Sequence, residues 1–89
     1  MPTISMFFGI VIAMYYKDTK QHHLSHIHAR YQDFKAVFAI EDGRVLDGDF
    51  PPRQTRLVQA WIEIHREDLD ADWALASMGE EPFRIPPLQ

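Results

Sequence analysis

The spacing of apolar residues changes at Pro51-Pro52. Upstream they come in short runs or at every second position, the period of a strand; downstream they return every three or four positions, the period of a helix. Residues 10–16, rich in β-branched and aromatic side chains, predict a first strand buried on both faces. Residues 1–9, punctuated by Pro2 and Gly9, read as an irregular lead-in, and the polar stretch 17–25 reads as a loop. A second strand is predicted over 26–31, where alternation puts His26, His28 and Arg30 on one face and Ile27, Ala29 and Tyr31 on the other. Gln32-Asp33 supplies a two-residue turn into a third strand over 34–40, whose even positions Phe34, Ala36, Phe38 and Ile40 are all apolar. Asp-Gly within Glu41-Asp42-Gly43-Arg44 readily takes up the positive φ of a tight turn. Val45-Leu46 then opens a short fourth strand that Gly48 ends.

Beyond the two prolines, which suit a first helical turn because that turn spares backbone N–H groups, Leu57, Trp61, His65, Leu69 and Trp73 recur every four residues. Val58, Ile62 and Ile64 widen the stripe. The pattern fits one helix to Ala76 or two with a break near His65; Glu67-Asp68 favours a fresh N-terminus, since acidic side chains suit the positive end of a helix dipole. Gly79 closes the helical region, Phe83-Arg84-Ile85 reads as a last short strand, and Pro86-Pro87 ends regular structure. The expectation is a single α+β domain over residues 1–89, an antiparallel β-meander of three to four strands packed against one long or two short C-terminal helices. Which sheet face the helices cover is left open by the pattern.

Composition narrows the function classes. The chain has 89 residues, no cysteine and a net charge of −4. Disulfides and zinc–thiolate sites are excluded, and the chain needs no oxidising compartment, which fits the cytoplasm. The acidic balance argues against broad charge-driven DNA binding, although Arg30, Lys35, Arg44, Arg53 and Arg56 leave room for a local basic patch. The apolar run 6–16 is too short for a membrane helix, which needs about 20 residues, and no membrane association is expected. A chain this short buries only roughly 60–65% of its unfolded surface, so a protein partner or a homo-oligomer would help to complete it.

The candidate chemistry lies in His22-His23-Leu24-Ser25-His26-Ile27-His28, which holds four of the five histidines. Imidazole titrates near neutrality, so such a cluster can move protons, hold a metal or orient a loop through hydrogen bonds. Two histidines flanking a phosphodiester can serve as base and acid; His26 and His28 with Arg30 on the phosphate would make a metal-independent ribonuclease, with RNA as partner. His26 and His28, with His22 or His65 as a third ligand, could instead hold zinc or another divalent metal, though the spacing matches no standard zinc motif and no cofactor is otherwise expected. A structural role, with Asp18, Asp47 or Asp49 as hydrogen-bond partners, competes with both. Trp61, His65, Leu69 and Trp73 read as one helix face packed on the sheet, and Glu63, Glu67, Asp68, Asp70 and Asp72 as a solvated acidic flank.

Several segments together carry a family likeness. They are Met1-Pro2-Thr3-Ile4 with Phe7-Phe8-Gly9-Ile10, then Met14-Tyr15-Tyr16, His22 and His26-Ile27-His28-Ala29-Arg30-Tyr31, then residues 40–48, and a Pro-started helix bearing Leu57-Val58, Trp61, His65, Leu69 and Trp73. The set resembles the small bacterial proteins catalogued as domain of unknown function 4160, over nearly the whole chain. Members usually have proline where this chain has Ser25, and often an acidic residue where it has Gln21. The resemblance implies no settled activity. It implies a small open reading frame beside another short gene, an arrangement like a toxin–antitoxin pair. The expected function is therefore a protein-binding component of such a pair, through a surface the residues do not identify; the histidine ribonuclease and the metal-binding module are the alternatives.

Overall fold

A computed structural model of the chain describes residues 3–15 and 24–89. Five strands, β1 (Thr3–Phe7), β2 (Ile10–Ala13), β3 (His26–Tyr31), β4 (Phe34–Ala39) and β5 (Val45–Asp49), precede two helices, α1 (Pro52–Ile64) and α2 (Arg66–Ser77). The strands form one sheet in the order β1-β2-β3-β4-β5 with every neighbouring pair antiparallel. This is the expected α+β meander, with one strand more than anticipated.

The extra strand is β1, which corrects the reading of residues 1–9 as irregular. Phe8 and Gly9, at φ 49° and 78°, turn the chain straight back so that Phe7 pairs with Ile10. Positive φ at both turn residues matches the twist of the flanking strands. At the other edge β5 does not stop at Gly48 but runs through it to Asp49. Gly48 has φ 86°, and a Cβ there would lie 2.3 Å from the Lys35 carbonyl oxygen and 2.9 Å from the Ala36 Cα, so the close strand approach requires glycine. The turns at Gln32-Asp33 and around Asp42-Gly43 form as expected; Asp42 accepts hydrogen bonds from the Arg44 backbone and guanidinium, which hold its carboxyl below the usual range.

The helix is broken in two at His65, whose amide donates to the Trp61 carbonyl while its own carbonyl accepts from Leu69. Gly79, at φ 78°, ends α2 with paired bonds from Gly79 N–H to the Ala76 carbonyl and from Glu80 N–H to the Leu75 carbonyl. Both helices lie on the face that carries Ile10, Ile12, Ile27, Ala29, Ala36 and Phe38, which join Val58, Trp61, Ile62 and Leu69 in a common core. Each fully buried large side chain there contributes about 1.5–3 kcal/mol. The expected last strand does not form. Residues 80–89 instead run as an irregular strap: Ile85 N–H donates to the Ile4 carbonyl on the β1 edge, and Trp61 Nε1–H donates to the Pro86 carbonyl. Pro82 and Pro86, which have no N–H to donate, bound the segment to three residues, so a ladder cannot extend beyond it. Among the described residues no helix is long and apolar enough to cross a membrane.

Candidate functional site

With the helices on one side, the other sheet face is left without a covering layer among the described residues. Register arranges it as two rows across the strands. Met6, Val11, Arg30, Lys35 and Asp49 stand opposite one another in turn, and beside them Ala13, His28, Val37 and Asp47. Strand alternation places the members of each row on the same side. Between the rows lies a shallow cavity of about 280 Å³, floored by Val11, Ala13 and Val37 and rimmed by Tyr15, His28, Arg30, Lys35 and Asp47. Arg30, Lys35 and Asp47 are exposed, whereas Tyr15, His28 and Val37 are half-buried.

The two strand histidines do come together, their ring centroids 5.4 Å apart, but not both at the surface. His28 opens onto the cavity and meets the edge of Tyr15 at 4.6 Å. His26 is 1% exposed, and Trp73 of α2 packs on its ring with centroids 5.0 Å apart. Its Nδ1 lies 2.9 Å from the Leu24 carbonyl oxygen. A carbonyl only accepts, so Nδ1 carries the proton and the ring is held as part of the loop-to-strand entry. Two imidazoles in contact, one sealed under tryptophan, leave no gap for a phosphodiester between them. Of His26, His28 and Arg30, the residues of the acid–base expectation, only His28 and Arg30 line the cavity.

The metal expectation rests on His22 with His26 and His28, and His22 lies outside the described residues. Among the described residues no three His, Cys, Asp or Glu side chains are grouped so as to hold an ion. His65 belongs elsewhere: it sits at the α1–α2 joint, 5.6 Å from the Trp61 ring, with Nδ1 3.6 Å from an Asp68 carboxylate oxygen. The anticipated basic patch also divides. Arg44 is engaged by Glu41 and Asp42 in its own turn, Arg53 and Arg56 are on α1, and Arg30 and Lys35 alone share the open face.

One residue of the acidic flank was misplaced by sequence reasoning. Asp72 is not solvated but 2% exposed. Its Oδ1 accepts the Phe83 amide at 2.9 Å and fastens the C-terminal strap, while Oδ2 is buried without a partner among the described residues. Burial pushes its carboxyl above the ordinary value, and the Phe83 hydrogen bond opposes this in part. The signal was present: Asp72 follows Leu69 by three and precedes Ala76 by four, which puts it on the apolar stripe.

A family model described as Domain of unknown function (DUF4160) matches residues 9–74, from the β1–β2 turn into α2. No curated protein and no solved structure matches the chain.

Proposed function

The chain belongs to the family described as Domain of unknown function (DUF4160), and from that premise we propose that it is a small bacterial cytoplasmic protein that acts by binding a partner protein, the product of a neighbouring short gene in a toxin–antitoxin-like pair. The observation that carries this reading is the sheet face that no element covers among the described residues. A half-buried apolar floor ringed by charged and aromatic groups is the form of a protein-recognition surface, with a water-excluding centre and a polar rim. Every residue of that face from Val11 to Asp49 lies inside the family match. The ribonuclease reading is weaker, because among the described residues His28 is the one imidazole lining the cavity, and one imidazole cannot act as separate base and acid.

Co-expression with the neighbouring gene product tests the proposal. The tagged chain should co-elute with it in fixed ratio. Val37→Asn, which wets the cavity floor, should release it, whereas Ile64→Ser on the exposed side of α1 (Ile64 is 65% exposed) should not. An absent complex, or one released by the helix variant and kept by the sheet variant, contradicts the reading.

A further inference from the structure

Arg30 and Lys35 stand directly opposite each other across β3 and β4. Side chains so paired have Cβ atoms roughly 5 Å apart, and like charges in that arrangement destabilise a sheet. Neither cation makes an ion pair among the described residues, although Asp49 stands opposite Lys35 on β5. Asp49 offsets part of the Lys35 charge across β4 and β5, but the two cations still stand side by side at the mouth of a cavity with an apolar floor. An anion placed between them would turn that repulsion into attraction.

We propose that Arg30 and Lys35 form a carboxylate-binding site that anchors one acidic side chain of a partner's extended peptide segment. The proposal rests on the open face being the partner surface and specifies the chemistry of what docks there. A nucleic-acid backbone fits less well. It presents charge at every nucleotide and needs a run of cations to neutralise it, whereas here two cations are bounded on the β5 side by Asp47 and Asp49. A single carboxylate fits between those acids and the apolar positions of β2.

The geometry also sets the neighbours of that carboxylate. Strands lie about 4.8 Å apart, so the midpoint between β3 and β4 is about 7 Å from β2 on one side and from β5 on the other. Alternate residues of an extended chain are separated by about the same distance. A segment crossing the strands therefore presents an apolar residue to Val11 and Ala13, an acidic residue two positions on to Arg30 and Lys35, and a basic residue two further on to Asp47 and Asp49. The signature is apolar-x-acidic-x-basic.

The probe is the peptide acetyl-Leu-Ser-Glu-Ser-Lys-amide, titrated into the isotope-labelled full chain at low salt and followed by backbone amide resonances. Its control is acetyl-Leu-Ser-Lys-Ser-Glu-amide, of the same composition with the charges exchanged. The first peptide should perturb residues 11–13, 28–30, 35–37 and 47–49, and bind at least about fivefold more tightly than the control; the difference should vanish in the Arg30→Gln/Lys35→Gln variant. Equal binding of both peptides, retention by the double variant, or tighter binding of an oligouridylate on the same residues overturns the proposal. The co-expression assay separates the two levels. If Val37→Asn releases the partner and the double variant keeps it, the open face stands and the acidic anchor falls; if both keep it, both fall.

Discussion

Phe8 holds a conformation that costs about 1–2 kcal/mol for a residue with a side chain, and its ring is 59% exposed, so little burial offsets that cost. Asparagine tolerates the same backbone, and Phe8→Asn should raise the urea midpoint by the equivalent of about 1 kcal/mol; a lower midpoint would mean that the Phe8 ring contact with Phe7 outweighs the strain. Gly48 and Gly79 separate conformation from contact. Both have positive φ, but a Cβ meets nothing within 4 Å at Gly79 and meets the β4 backbone at Gly48. Gly79→Ala should therefore cost about 1 kcal/mol and Gly48→Ala about 3 kcal/mol or more, read from the same unfolding curves. Similar losses would show that β5 shifts away to make room. The histidines differ in the same measurable way. His26→Ala empties a space under Trp73 and should cost about 2 kcal/mol, whereas His28→Ala at the cavity rim should cost less than about 1 kcal/mol. An activity assay that relies on His26→Ala would thus read folding along with chemistry.

At the scale of elements, the strap formed by residues 80–89 is tied to other elements by bonds that include Phe83 N–H to Asp72, Ile85 N–H to the Ile4 carbonyl and Trp61 Nε1–H to the Pro86 carbonyl. The carboxyl of Asp72 is raised above its ordinary value of 3.8, so the folded state holds that proton more tightly than the unfolded state does. Its contribution is most favourable below 3.8 and is lost as pH rises through the raised folded value. Unfolding free energy measured against pH should contain this declining component in the native chain and lack it in Asp72→Asn, which keeps an acceptor for Phe83; an unchanged profile would contradict it. The strap was hidden from sequence reasoning because its hydrogen bonds are isolated ones to distant elements, with no period. β1 was hidden for a related reason. Its turn uses Phe-Gly rather than the usual Asn-Gly, and five residues give too short a pattern to announce a strand. By contrast β3, β4 and the helical region were legible, from the alternation at 26–31 and 34–40 and the spacing of four from Leu57 to Trp73, while one helix or two was left open.

At the scale of the molecule, the sequence could say that His26, His28 and Arg30 share a strand face, but not that Trp73 of α2 would pack on the first of them. That depends on where Trp73 lands after the break at His65, a tertiary outcome that no local pattern encodes. Among the described residues the opposite sheet face is left open, and it is there that Arg30, Lys35, His28 and the apolar floor converge. The most direct measurement is amide hydrogen exchange on the chain with and without its neighbouring gene product. We expect protection on complex formation at residues 11–13, 28–30, 35–37 and 47–49, with α1 and α2 unchanged on their outer sides. Protection confined to the helices, with the open sheet face exchanging as in the free chain, would contradict the account.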